Sequence, residues 1–335
     1  MTGSGLPRLL LVGAGAMGSH HGRIIAESQR CELAAVVDPA EHHGSSLARR
    51  FGVEWTPEVD SLSHVDAVVV ASSTDQHREI ALRALATDIP LFVEKPLCAS
   101  LGESREIVET ALSRGVPLMC GFVERFNPAV LEAVSRAESP SAVHAHRLSG
   151  YSPRMHAGVT WDLLVHDLDI TLRVFGGETP KITSASTGRS GAEGRVGEDS
   201  VDVELEFSGA RTAGLSASRM SPRRIRQLTI HEQDRTIVAD LLNPSVAIYT
   251  TSHRGAFRSA DGFSDGREIS ERIECYGHRE PLAAQCDRFV DLIEEKSDAH
   301  AETRSILPSH EAVAAILDTA EESTPCPRAF PAASH

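Results

Sequence analysis

At 335 residues the chain is too long for one ordinary hydrophobic core, so two domains are expected. Apolar residues make up 41% and charged residues 24%, as in globular chains, and no apolar run approaches membrane-spanning length. A formal net charge of -14 argues against nucleic acid or an anionic membrane as partner, although local arginines could still hold a phosphorylated substrate.

The six cysteines are scattered, and none has the spacing of a zinc site or a redox pair, so no metal is expected. A reduced interior fits this usage. No charged-then-apolar leader opens the chain, so a cytoplasmic protein is the expectation.

In chain order, Leu9-Leu10-Leu11-Val12 reads as a buried strand that runs into Gly13-Ala14-Gly15-Ala16-Met17-Gly18. A helix is expected over Ser19–Ser28. Strand, glycine turn and helix form the setting of a dinucleotide fingerprint. Gly13 allows the turn, Gly15 lets backbone approach a pyrophosphate, and Gly18 lets helix pack on strand. The N–H groups at the start of the helix face the phosphates. A second strand, Leu33–Val37, ends in Asp38, about 20 residues beyond the last glycine, where a ribose-binding carboxylate belongs. Its charge repels a 2′-phosphate, and Pro39 follows in place of Arg or Ser, so NAD is expected over NADP.

Strand–helix alternation continues to about residue 121. Val65–Val70 reads as a parallel strand. Ser72-Ser73-Thr74-Asp75-Gln76-His77 reads as a polar loop, followed by a helix over Arg78–Ala86. Leu91-Phe92-Val93 ends in Glu94-Lys95-Pro96, and a helix over Leu101–Arg114 leads to the strand Pro117–Cys120. Such alternation predicts a doubly wound parallel sheet, with ligands at the C-terminal strand ends where Gly13, Asp38, Ser72 and Lys95 fall.

After Gly121 the texture changes. Phe122–Pro128 reads as a crossover and Ala129–Glu138 as a helix. From there to about Tyr249 the period is mainly two: Val201, Val203, Leu205 and Phe207 alternate with acids. This predicts a half-exposed antiparallel sheet. Ser190–Ser200 reads as a loop, and helices are expected over Trp161–Phe175, Pro281–Glu295 and Pro308–Glu321. The expected domains are 1–121 for the cofactor, 122–323 for substrate and oligomerisation, and a frayed tail at 324–335.

Gly13 to Gly18, the Ser72–His77 loop, Glu94-Lys95-Pro96 and Asp162-Leu163-Leu164-Val165-His166-Asp167-Leu168-Asp169, in this order, resemble the Gfo/Idh/MocA oxidoreductases. The resemblance implies an α/β architecture: an N-terminal Rossmann doubly wound parallel sheet plus a C-terminal α/β domain with a large, mostly antiparallel, open-faced sheet. Glu124-Arg125-Phe126-Asn127-Pro128-Ala129-Val130 and Arg223-Arg224-Ile225-Arg226 look most like the branch that oxidises C3 of nucleotide sugars. Ser73 stands where the family usually has Pro.

Asp162 and His166 are four apart, so one helix face would carry both; an ordinary helical pair has the same spacing. A histidine near neutrality can take the proton of a sugar hydroxyl. Asp162 can orient the ring or hold a neighbouring hydroxyl. Asp167 and Asp169 could be helix-surface charges. Lys95 can bind the reacting hydroxyl and stabilise alkoxide character; a surface lysine paired with Glu94 is the plainer alternative. The resemblance implies that Lys95, Asp162 and His166 are catalytic. It also implies that Gly13, Gly15, Ala16, Met17, Gly18, Asp38, Ser72, Ser73, His77, Glu94 and Lys95 hold the cofactor. Asn127, Arg154 and Arg147 are candidate substrate contacts beside Lys95, Asp162 and His166.

The expected activity is NAD-dependent oxidation of a secondary hydroxyl, at C3, of a hexose in a nucleotide sugar such as UDP-glucose. The 3-keto product would suit amino-sugar or aminoglycoside-antibiotic biosynthesis. Alternatives are an inositol, free-sugar or aminoglycoside dehydrogenase of the same fold, and a non-catalytic NAD-binding sensor. The open sheet face implies a homodimer or homotetramer, with no nucleic-acid or membrane partner.

Overall fold

The computed structural model describes residues 5–59, 62, 64–151, 157–190, 197–252, 267–275 and 279–323. Two compact units result, one from 1–131 with 275–310 and one from 132–274 with 311–335.

The first unit is a six-stranded sheet of β1 (Arg8–Val12), β2 (Glu32–Val37), β3 (Glu54–Thr56), β4 (Ala67–Val70), β5 (Leu91–Val93) and β6 (Leu118–Cys120). All pairs are parallel, in the order β3-β2-β1-β4-β5-β6. The order reverses between β1 and β4, and ligands bind at such a switch point, beyond the C-terminal strand ends. The strands are near-continuous apolar runs because helices cover both faces. The connecting helices are α1 (Ala16–Glu27), α2 (Glu41–Phe51), α3 (Thr74–Ala86) and α4 (Leu101–Arg114). The start of α4 is set by a capping box between Ser100 and Glu103, and its end by Gly115 in the left-handed conformation. A 3-10 turn, Val123–Phe126, leads into α5 (Pro128–Arg136).

The helix α7 (Pro281–Ile293), expected in the second domain, packs in the first unit. Its Leu282, Cys286, Phe289 and Val290 share a core with Leu9, Val69 and Phe92, and Arg30 pairs with Asp291 and Glu294. Periodicity reveals an apolar face but not which sheet it covers. A short helix that the pattern does not announce, α8 (Ala299–Arg304), also lies there. Cys31 and Cys286, 255 positions apart, come within 3.9 Å as free thiols.

The second unit is an eight-stranded sheet, ordered β14-β13-β12-β11-β7-β10-β9-β8. Its strands are β7 (Ala142–Leu148), β8 (Lys181–Gly188), β9 (Ser200–Phe207), β10 (Arg211–Ser218), β11 (Ile225–His231), β12 (Arg235–Asp240), β13 (Ser245–Ser252) and β14 (Arg267–Glu274). Every pairing is antiparallel except β7 with β10. The expected alternation holds: Val201, Val203, Leu205 and Phe207 are buried, whereas Asp202, Glu204 and Glu206 are exposed. The sheet also runs past the expected limit at Tyr249, to Glu274. One face carries α6 (Val165–Val174); the last helix, α9 (Leu307–Ser323), belongs to the first unit through His310 and to the second from Glu311 on. The tail at 324–335 lies outside the described residues. No helix among those described is long and apolar enough to cross a membrane.

Candidate active site

The helix α1 starts three residues earlier than expected, inside the glycine run with Gly15 as its cap. The amides of its first turn therefore belong to the fingerprint itself. Gly13 has φ +101°, and a side chain there would run into Ala71 and Ser72 backbone; one on Gly18 would run into the Gly13 carbonyl. Only glycine fits either place. A side chain on Gly15 would meet nothing within 4 Å. Gly15, Ala16 and Met17 are exposed. A bare backbone and a helix N-terminus at the sheet's switch point fit a pyrophosphate.

Asp38 lies at the end of β2 as expected. Its Oδ2 accepts from Ala14 N–H at 2.7 Å and its Oδ1 from Ala40 N–H at 2.8 Å. Trp55 donates its indole N–H to the Asp38 carbonyl at 3.0 Å, and Gly44 leaves the indole room. The half-buried carboxylate is thus fixed beside the glycine turn, and each oxygen keeps acceptor capacity for ribose hydroxyls. Trp55 and Gly44 are invisible to motif reading, because neither belongs to the fingerprint. Asp38→Ser is expected to narrow the preference for NAD over NADP by about tenfold or more, ~1.4 kcal/mol per tenfold, in Kd by calorimetric titration.

The polar loop expected at Ser72–His77 is shorter, since α3 begins at Thr74. Ser72 is half-buried and Ser73 exposed. The Ser73 hydroxyl is bonded to Asp75 and, with Gln76, holds that carboxyl below the ordinary carboxylate range. His77 differs from expectation more sharply. It is 1% exposed, with Nε2 3.2 Å from the Ser72 carbonyl and Nδ1 3.1 Å from that of Pro96. Its ring ties the end of β4 to the end of β5. Glu94 is likewise buried: Oε1 lies 2.6 Å from His21 Nε2, and Oε2 accepts from Lys95 N–H at 3.1 Å. Gly121 leaves this carboxylate its space. Lys95 itself is half-buried, and its peptide bond to Pro96 is cis. Burial pushes the pKa of the nearby Cys98 thiol up to about 12, which favours the protonated form.

Asn127, a candidate substrate contact, is buried. At 5% exposure its Oδ1 accepts from Ala129 N–H at 3.0 Å, capping α5, and its Nδ2 donates to Glu124 at 2.9 Å. An Asn before Pro-Ala is a cap signal as much as a substrate signal, and here the cap uses it. Arg154 lies outside the described residues.

In the second unit, Asp162 and His166 do not sit on one uniform α-helix. Thr160–Leu164 is a π-turn in which Val165 N–H reaches back to the Thr160 carbonyl, and α6 follows. Such bulges are common at functional sites. Asp162 is half-buried and His166 8% exposed. Asp167 and Asp169, considered as surface charges, are 3% and 4% exposed. Arg147, considered as a substrate contact, is 2% exposed and grips Asp167 with two bonds of 2.8 Å. The pair fastens α6 to β7. The start of the π-turn is held from the loop before β9. Glu198 Oε1 accepts from Thr160 N–H at 2.8 Å, and its carbonyl accepts from Val159 N–H at 3.1 Å. Arg219 donates to the Ala157 and Glu198 carbonyls and pairs with Asp199. Glu198 and Asp199, read from sequence as loop acids, are therefore the anchor of the segment bearing Asp162 and His166.

Residues 8–122 match the oxidoreductase family with an NAD-binding Rossmann fold, and residues 130–238 match the GFO/IDH/MocA C-terminal domain. UDP-N-acetylglucosamine 3-dehydrogenase of Acidithiobacillus ferrooxidans is 28% identical over 287 residues, 84% of this chain and 87% of that one. Its crystal structure superposes with a TM-score of 0.83 at 25% identity, covering 94% of this chain and 98% of that chain. The NAD(+)-dependent scyllo-inositol 2-dehydrogenase of Bacillus subtilis is 28% identical over 235 residues, 64% of this chain and 68% of the relative.

Proposed function

Because the chain belongs to the Gfo/Idh/MocA family of NAD-binding oxidoreductases, we propose that it oxidises the C3 hydroxyl of the hexose in a nucleotide sugar. The observation carrying this reading is the similarity to UDP-N-acetylglucosamine 3-dehydrogenase along most of both chains. NAD, when bound, supplies the hydride acceptor. The residues that would hold it are the Gly13–Gly18 turn, through its open backbone, and Asp38, through ribose hydroxyls. In this reading His166 takes the proton of the reacting hydroxyl, Asp162 orients the ring, and Lys95 stabilises the charge developing on oxygen. A ketone at C3 is the kind of group an aminotransferase consumes, which suits amino-sugar or aminoglycoside formation.

The inositol dehydrogenase relative favours a second reading, oxidation of an inositol or free sugar. The co-occurrence of Lys95, Asp162 and His166 supports an enzyme over a sensor. The deciding experiment measures NAD reduction with UDP-N-acetylglucosamine, UDP-glucose, myo-inositol, scyllo-inositol, free hexoses and aminoglycosides, with products identified by NMR. A 3-keto nucleotide sugar is the expected product. Turnover of an inositol or free sugar alone would replace the reading with the second.

The same reading includes self-association. On one face of the eight-stranded sheet His144, His146, Asp202, Glu204 and Glu206 are exposed. Light scattering at micromolar concentration is expected to give a dimer or tetramer; a monomer would count against it.

A further inference from the structure

The segment carrying Lys95 is gripped by buried side chains far away in sequence. Leu97 N–H donates to His310 Nε2 at 3.1 Å, across 213 positions. Since that nitrogen accepts, the proton of the neutral ring is on Nδ1, which donates to the Ile306 carbonyl at 2.9 Å. His310 is 0% exposed, and its ring meets Phe122 edge-on at 5.7 Å. His77 reaches the Pro96 and Leu97 carbonyls from α3. Glu94, held by His21, accepts from the Lys95 amide. The backbone on both sides of Lys95 is thus tied to the core, and His310 supplies the acceptor for the Leu97 amide.

We propose that His310 is a positioning residue for Lys95, a neutral imidazole whose Nε2 fixes the Leu97 amide and, through it, the segment that aims the Lys95 ammonium. The inference rests on the reading of Lys95 as an active-site cation. Misplacing a reacting group by about 1 Å can cost about 10²-fold in rate even when the change lies far from the chemistry.

Two substitutions separate this role from simple packing. Glutamine at 310 can put its Oε1 where Nε2 accepts. Asparagine can keep a donor near Nδ1 but has no atom that reaches Leu97. His310→Asn is expected to lower kcat with UDP-N-acetylglucosamine by roughly 10- to 10²-fold while the Kd of NAD stays unchanged. His310→Gln is expected to stay within about threefold of wild type.

A readout independent of turnover is available because the chain has only three lysines, Lys95, Lys181 and Lys296. Reductive ¹³C-dimethylation gives one NMR signal for each, and Lys95→Met assigns the one of interest. In His310→Asn the Lys95 signal is expected to move while those of Lys181 and Lys296 do not, and His310→Gln is expected to restore it. An unmoved Lys95 signal in folded His310→Asn would overturn the proposal, as would equal damage in the Asn and Gln variants. Should His310→Asn fail to fold, His310→Leu makes the same comparison. Full activity in Lys95→Met would reject the catalytic reading of Lys95, while the NMR comparison would still judge the hold of His310 on it.

Discussion

His166→Ala is expected to lower kcat by roughly 10²–10⁴, the usual contribution of acid–base catalysis, with the Kd of NAD unchanged. The ring serves as a base only when neutral, so kcat/KM should fall as pH drops through the pKa of His166 in the free enzyme, and this limb should vanish in the variant. Lys95→Ala should cost a similar factor in kcat and raise KM as well if the ammonium holds the reacting hydroxyl. Asp162→Asn should cost less than either if the carboxylate only orients the ring. Groups that act together lose their effect together, so the Lys95/His166 double variant should fall little below the worse single one. Steady-state kinetics of the four proteins, with NAD binding measured separately, checks this. Near-wild-type kcat in His166→Ala would leave Lys95 as the base, and near-wild-type activity in both singles would reject the assignment.

The second large effect is on stability. Arg147 and Asp167 are 2% and 3% exposed and share two bonds of 2.8 Å. Removing one partner strands the other charge where water cannot solvate it, at a cost of about 3–5 kcal/mol. Arg147→Met is expected to destabilise the second unit by that amount, read as a lowered urea midpoint. Replacing both, as Arg147→Met with Asp167→Leu, should recover most of the loss, because the pair offsets its own desolvation only approximately. A small effect in the single variant would mean that water reaches the stranded carboxylate. Since α6 carries His166 and Asp167 side by side, the single variant should also lose activity before it unfolds.

Much of the candidate site's local geometry is legible without coordinates. Gly13 and Gly18 are required by backbone approaches within a few residues, and Asp38 by its place at the end of β2. The spacing of Asp162 and His166 is equally plain, although the π-turn at Thr160–Leu164 is not, since residues 164–172 are buried on every side and leave no amphipathic period for an extra residue to shift. Other candidates have partners that the sequence does not announce, because a polar residue has the same letter whether it faces a ligand or a backbone carbonyl. His77 and Glu94 support the Lys95 segment, Asn127 caps α5, and Arg147 holds Asp167.

The parallel sheet, the period-two sheet, the glycine turn and the acid beside it are legible in the order of amino acids. Each follows from sterics or alternation over a few neighbouring residues, which the order of amino acids states directly. That α7 joins the first unit, that Glu198 and Arg219 anchor the segment bearing His166, and that His310 holds Leu97 emerge only from the packing. These contacts join residues from 21 to at least 261 positions apart. A buried polar group must find a partner, but which one it finds is fixed by how the elements pack.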